Sequence, residues 1–449
     1  MDVALVLLPN YQINSPSLAL AYLASNLIKK GHTVSRFEFN LKFKNKKWIK
    51  YIYKFNQNDA LVLEIMKNPQ LLNNSKFNKL NSYIDFCVKK ILSKSPKVIG
   101  FSTYYTNKNI SLFIAKKIKE INYKIKIVFG GPFTFVCDDI QRNILKTKWV
   151  DYIIIGEGEQ LFIDLLKKLK SFEKKSKCDK QILSTNSSSI LKIDDIEFPL
   201  FRKKEFKLAK YSNIIPIIAS RGCIGKCDFC MHPKLWNIFR QRKPENVIAE
   251  IKYQIKTLNI FNFVFNDSLF NANPVFIEKF CNMLINENIS IKWLIKVRIS
   301  ENLSDSMLKL MYKAGCRFLL FGIESFSNKV LNKMNKGINT DMIYKNLELA
   351  HKNKFRVHIY IIIGHPSETK KDFQKTIKGI KNCRNLINSI TINKLTLHPK
   401  TELFKHTKNL NHNKINERLI YLKSFIKKMS PPLKYNCDPI QIFSLKYRK

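Results

Sequence analysis

The chain has 449 residues, 45% of them hydrophobic, with 79 basic against 34 acidic residues and a formal net charge of +45. That length suits two or three domains with ordinary cores, and no run reaches the roughly 18 apolar residues of a spanning helix. Ten cysteines do not make a disulfide framework here: Cys87, Cys137, Cys178, Cys281, Cys316, Cys383 and Cys437 are scattered, and only three others crowd together. The charge alone suggests RNA or a lipid surface. Yet the lysines are spread along the whole chain beside heavy use of Asn, Ile, Phe and Tyr, which a biased genomic composition explains at least as well. Residues 42–50 mix basic and aromatic side chains and read as a solvated face before they read as a nucleic-acid contact.

Residues 1–9 lack the basic start and small-residue cleavage site of a leader. They read as a buried first strand, and a cytoplasmic protein is the expectation. Strand 3–8 is followed by a helix over 18–30, stopped at Gly31, and by a strand over 33–39. Residues 40–95 are long, basic and poorly patterned. Then come strand 98–102, helix 110–122, strand 125–129, strand 152–155 and helix 160–169. The alternation predicts a Rossmann-like parallel sheet covered on both faces. Ligands of such sheets bind beyond the carboxyl ends of the strands. Pro9, Asn10, Ser102, Thr103, Gly130, Gly131, Gly156, Glu157 and Gly158 fall on that edge. A polar stretch containing 184–189 reads as a linker. The expected divisions are 1–170, a linker at 171–205, a second domain at 206–400 and a basic helical extension at 401–449.

The second domain opens with a strand at 214–219. Five helix–strand pairs follow, with strands at 262–265, 291–297, 318–321, 356–363 and 389–397. Six strands with intervening helices predict a partial (β/α)6 barrel of the TIM type, with its chemistry at the carboxyl strand ends. That edge collects Asn266, Asp267, Arg298, Glu324, Gly364, His365 and Pro366. It also holds Cys223-Ile224-Gly225-Lys226-Cys227-Asp228-Phe229-Cys230, directly after the first strand. Three thiolates at this spacing fit a [4Fe–4S] cluster with one iron left open to a ligand. Structural zinc would want a fourth ligand, for which His232 is the nearest candidate. Plainer roles stand beside the functional ones: Asp267 as a cap, Glu324 as a partner of Lys336, Arg298 as a rim cation, His365 as a turn histidine.

These residues resemble radical S-adenosylmethionine enzymes with an N-terminal cobalamin-binding-like domain, the architecture of class B radical methyltransferases. The resemblance is carried by Ser220–Cys230, by 240–247, by Ala314-Gly315-Cys316 and by Phe321-Gly322-Ile323-Glu324-Ser325. It continues in 364–369, in 397–401 and, in the first third, in 17–24, Gly31-His32, 130–132 and 156–159. It implies that Cys223, Cys227 and Cys230 ligate a [4Fe–4S] cluster whose open iron takes S-adenosylmethionine. Phe229 would lie near the adenine. Asn266, Asp267, Arg298, Glu324, Gly364, His365 and Pro366 would approach that cofactor, and the first domain's edge residues would approach cobalamin. The implied chemistry is reductive cleavage of S-adenosylmethionine to a 5′-deoxyadenosyl radical, with C-methylation of an organic substrate. A low-potential donor such as flavodoxin or ferredoxin would supply the electron. Rearrangement, cyclisation or oxidation, with or without cobalamin, is the alternative, as is a nonenzymatic iron–sulfur or RNA-binding protein. One departure stands out: the Asp-x-His-x-x-Gly segment of mutase-type cobalamin domains is absent, and the early His32 sits in Lys30-Gly31-His32-Thr33.

Overall fold

A computed structural model describes residues 1–9, 15–41, 52–56, 58–68, 70–71, 74–135, 143–172, 181–184, 191–209, 211, 213–236, 238–429, 433–435, 439–440 and 443. Asn10, residues 42–50, Cys137, Cys178 and Cys437 lie outside that set. The chain divides into two compact units, Met1–Ser212 and Asn213–Lys449. Residues 171–205 therefore belong to the first unit and 401–449 to the second.

In the first unit, β1 (Asp2–Leu7), β2 (Thr33–Glu38), β3 (Val98–Ser102), β4 (Lys126–Gly130), β5 (Tyr152–Ile155) and β6 (Gln181–Ser184) form one sheet. Their order is β2-β1-β3-β4-β5-β6, and every pairing is parallel. The central strand shows why. Residues 3–8 are all 2% exposed or less, as a strand covered on both faces requires. Its alternate side chains serve two cores. Ala4 and Val6 join Phe101, Phe113 and Phe129 beneath α2 (Asn78–Leu92) and α3 (Lys108–Ile121). Val3, Leu5 and Leu7 join Leu20, Leu27, Phe162 and Leu166 from α1 (Leu18–Lys29) and α4 (Gly158–Phe172). The chain leaves β1 toward β2 on one side and resumes at β3 on the other. That reversal makes a crevice at the carboxyl ends of β1 and β3. Strand β6 was expected to be linker; its side chains alternate between half-buried and exposed, so its apolar signal is weak.

In the second unit, β7 (Ile215–Ile217), β10 (Asn262–Phe265), β11 (Lys292–Val297), β12 (Cys316–Glu324), β13 (Arg356–Ile363) and β14 (Ser389–Lys394) are the six expected strands. They lie in the order β15-β14-β13-β12-β11-β10-β7, all parallel. The seventh, β15 (Lys434–Tyr435), comes from the stretch expected to be a helical extension. A two-residue antiparallel ladder, β8 (Ser220–Arg221) with β9 (Arg240–Gln241), stands apart from the barrel. Beneath β10 and β11, Trp293 meets Phe265, Phe270 and Phe280 with ring centroids 5.6–5.7 Å apart. The indole N–H donates to the Ala314 carbonyl at 2.9 Å, so burial leaves no polar atom of the ring unpaired.

The C-terminal stretch is part of this unit. Helix α10 (His412–Lys427) sets Arg418 against Glu368, a pair buried on both sides. Glu368 also accepts from the Gly364 amide at 3.2 Å. Ile415 of the helix occupies the space a Cβ at Gly364 would need, and Gly364 has a φ of +97°. Glycine is required there on both counts.

His358 of β13 is fully buried, with Nδ1 2.7 Å from Ser389 Oγ on β14. Burial pushes its pKa down to about 3. The unfolded chain, with an ordinary histidine near 6.5, then binds the extra proton first as pH falls. His358 should therefore contribute stability in full above pH 6.5 and lose it between 6.5 and 3, at up to about 1.4 kcal/mol per pH unit. Denaturant titrations across that range should show the loss in the native protein and a flatter acid limb in His358→Gln.

Candidate active site at the strand ends of the second unit

The cysteine loop leaves the barrel through a polar clamp. Asp267, 1% exposed at the end of β10, accepts from the Ala219 amide at 3.0 and 3.2 Å and from Ser220 Oγ at 2.5 Å. Complete burial pushes its carboxyl up to about 6, and those hydrogen bonds oppose the rise. Just past β9, the Arg242 amide donates to Ala219 O at 2.8 Å. Its guanidinium bonds Ile218 O at 2.8 Å and the buried Glu250 at 2.6 Å. Gly222, with φ +91°, passes the Ile238 carbonyl so closely that a Cβ would lie 2.7 Å from its oxygen.

Beyond the clamp the loop is held from several elements. The Asp228 amide donates to Met334 O at 3.0 Å, and Asn335 Nδ2 donates to Lys226 O at 3.1 Å. His365 Nε2 lies 3.1 Å from Asp228 Oδ2, and the Leu403 amide donates to Asp228 O at 2.9 Å. Within the loop, the Gly225 amide meets Cys223 Sγ at 3.3 Å, and the Cys230 amide donates to Cys227 O at 3.2 Å.

Cys223, Cys227 and Cys230 are free thiols, and all three line one cavity with Phe229, Arg298, Glu324 and Lys336. Burial raises the Cys227 thiol, against the pull of Lys336 and Arg298, and pushes Cys230 up to about 11. Metal coordination would have to displace those protons. Among the described residues, no three His, Cys, Asp or Glu side chains converge closely enough for a single ion. A cluster asks for less convergence, since each thiolate takes its own iron. The cavity's charges are arranged around a bulge in β12. The pairing of β12 with β13 shifts register between Gly322 and Glu324, and Glu324 has φ +71°. Glu324 Oε1 accepts from Lys336 Nζ at 2.9 Å. A Cβ at Gly322 would lie 2.7 Å from that oxygen, so glycine leaves room for the pair. Arg298 donates to the Lys336 carbonyl, and Asn271 clamps the Arg298 backbone through two 2.9 Å bonds.

The structure thus brings together the three cysteines, Phe229, Arg298 and Glu324. It sets five expected cofactor residues off the cavity wall. Asp267 and His365 hold the loop from behind, Gly364 lies under α10, and Asn266 and Pro366 are exposed. Lys296, Ser268, Tyr360 and Asn393 line the cavity and were not expected. Lys296 had a readable signal: a charge in the otherwise apolar strand Trp293-Leu294-Ile295-Lys296-Val297 is costly unless it is used.

At the carboxyl edge of the first unit, Thr103 donates to Gly130 O through both its amide and its hydroxyl at 2.7 Å. Gly131, with φ +98°, lies against the Thr103 backbone, where a Cβ would come within 2.7 Å of its oxygen. Gly131 lets the chain leaving β4 close on the end of β3. Ser102 and Pro9 flank the crevice, with Asn107 Nδ2 donating to Ser102 O at 3.3 Å and Leu8 O at 3.2 Å. Gly156 has φ +92° after β5, Glu157 is buried, and Gly158 opens α4. His32 lies at the opposite edge, 3.4 Å from the Met1 amine. It is the one histidine in residues 1–212, so a corrinoid at the carboxyl edge would receive no histidine ligand from this unit.

Residues 217–380 match the Radical SAM superfamily model, and the chain carries a domain of that superfamily. It is similar to the anaerobic magnesium-protoporphyrin IX monomethyl ester cyclase of Rubrivivax gelatinosus, 24% identical over 312 residues, 65% of this chain and 55% of that one. It is also similar to the bacteriochlorophyllide d C-12(1)-methyltransferase of Chlorobaculum tepidum, 29% identical over 300 residues, 64% and 60% of the two chains. The chain therefore spans little more than half the length of these relatives. The solved radical S-adenosylmethionine methyltransferase TsrM of Kitasatospora setae, with cobalamin and a [4Fe–4S] cluster bound, shares the fold. Its TM-score is 0.67 at 13% identity, over 90% of this chain and 76% of that one.

Asp267→Ala would leave the Ala219 amide and the Ser220 hydroxyl without their acceptor. Unfolding by denaturant should show a loss of about 1–3 kcal/mol, the cost of stranding a buried donor. Unchanged stability would mean that the clamp does not hold the loop.

Proposed function

We propose that this chain is a radical S-adenosylmethionine enzyme that C-methylates an organic substrate with the help of a corrinoid. The observation that carries the reading is the sharing of one cavity, at barrel strand ends, by three free cysteines and by Arg298, Glu324 and Lys336. A [4Fe–4S] cluster held there would supply the electron that cleaves S-adenosylmethionine to methionine and a 5′-deoxyadenosyl radical; the protein positions the reagents. Cys223, Cys227 and Cys230 hold the cluster. The Asp267 and His365 contacts fix the loop that carries them. Glu324, set by its bulge and by Lys336, offers a carboxylate to the cationic end of the cofactor, and Phe229 offers an apolar face. The crevice beside Pro9, Ser102 and Thr103 would take the corrinoid, and residues 1–212 offer no histidine at that edge.

The electron comes from a low-potential protein such as a flavodoxin or ferredoxin. The formal charge of +45 suits an acidic carrier. No helix among the described residues is long and apolar enough to cross a membrane. A cytoplasmic enzyme acting on a small organic molecule accommodates these features, and the dispersed charge calls for no nucleic-acid partner. A second reading, radical cyclisation or oxidation without methyl transfer, is favoured by the similarity to the ester cyclase.

Anaerobic purification from cobalamin-supplied cells tests the reading. Four irons and close to one corrinoid per chain are expected, by metal analysis and absorption. Four irons without corrinoid would select the second reading, and no iron would sink both. Cys227→Ala should abolish S-adenosylmethionine cleavage while the fold persists; cleavage at the native rate would overturn the cluster assignment. Glu324→Gln should weaken S-adenosylmethionine binding more than iron content, measured by titration on the reconstituted protein.

A further inference from the structure

Three cations line the cavity, and two of them are committed. Arg298 donates to the Lys336 carbonyl, and Lys336 pairs with Glu324. The side chain of the third, Lys296, has no hydrogen bond or ion pair with any described residue; its backbone carbonyl accepts from the Phe270 amide at 3.1 Å. It is the next-to-last residue of β11, and it belongs to the cavity wall together with Ser268 and His232. Its side chain remains accessible, yet burial lowers its pKa, with the Asp267 charge opposing. The two facts fit an amine that faces an open cavity with protein around its stem. Asp267 gives no close partner, because its oxygens are engaged by Ala219 and Ser220. Next to the amine, His232 Nδ1 and Ser268 Oγ bond each other at 2.8 Å. That fixes the imidazole and supplies polar atoms around the same space.

An accessible ammonium with no protein partner is open to an anionic ligand. Glu324 is the only carboxylate on the described wall, and Lys336 already holds it. We propose that Lys296, with Ser268 and His232 beside it, is the subsite that takes an oxyanion of the substrate, a carboxylate or a phosphate. The inference rests on the enzymatic reading above and deepens it by giving the substrate class: a small organic anion anchored by its charged end at β11. A charged hydrogen bond from this amine fixes where along the substrate the reactive carbon falls. Lys296 is then a specificity-determining residue, and the cluster does not depend on it.

The test uses the full chain with its iron reconstituted. Succinate and inorganic phosphate are titrated calorimetrically at constant ionic strength, with S-adenosylmethionine as a separate titration. The native protein should bind at least one of the two anions saturably. Lys296→Met should weaken that binding about tenfold or more, and Lys296→Arg should retain most of it. The anion that binds tighter distinguishes a carboxylate from a phosphate. Affinity for S-adenosylmethionine should stay within about twofold in both variants, since the amine serves the substrate. Lys296→Met should also melt no lower than the native protein, because it removes an unpaired charge.

Equal anion binding by the native protein and Lys296→Met, including none by either, overturns the proposal. So does a loss confined to S-adenosylmethionine, which would assign the amine to the cofactor's own carboxylate. Iron content on the same preparations reports separately on the enzymatic reading. If that reading fails, the anion comparison still decides the subsite.

Discussion

Everything at this site hangs on how the backbone leaves β7. A strand that ends in a parallel sheet must satisfy its last amides and carbonyls or strand them in a low-dielectric interior. Here Asp267 takes the Ala219 amide, and Arg242 takes the Ile218 carbonyl. One carboxylate and one guanidinium, from the neighbouring strand end and from just past β9, fix the exit. The cysteine loop then starts from a rigid root. Further along, backbone contacts at Met334 and Leu403 and the His365–Asp228 contact set its course. Contacts from several strands and helices over-determine the path of a loop that the sequence alone leaves free.

The cavity enclosed by that loop is economical with charge. Glu324 and Lys336 neutralise each other, Arg298 is spent on a carbonyl, and Gly322 is small so that the pair fits. In a site where field strengths rise as water is excluded, such arrangements keep cations from collapsing onto thiolates or onto each other. The exception is Lys296, whose freedom is informative because its neighbours are all engaged. The first unit follows a different logic. Its glycine turn at 130–131 serves the approach of β4 to Thr103, so glycine at a strand end is not by itself a ligand signal.

Much of the architecture was legible in the chain. Near-continuous apolar runs such as 3–8 mark strands covered on both faces, and the alternation with helices fixes their parallel order. The six expected barrel strands are all present, and β11, β12 and β13 were the plainest to read because each buries four or more apolar side chains. Short or mixed strands were illegible: β6 and β15 carry too few buried side chains to leave a period. The ladder of β8 and β9 is two residues long on each arm and has no pattern at all.

The sequence by itself determined the cysteine loop, the fold class and the edge at which the distinctive polar residues gather. Cysteine spacing and strand periodicity are local, so neighbouring residues suffice to read them. Tertiary structure alone decided which polar residues face the cavity. Asp267, His365 and Gly364 share a strand-end address with Arg298 and Glu324, yet they hold the loop or admit α10. The direction of a side chain at a strand end depends on register shifts, bulges and the partners waiting in other elements. Lys296 reached the wall for the same reason: its place in β11 was readable, but that its amine meets no partner among the described residues emerged only in the folded chain.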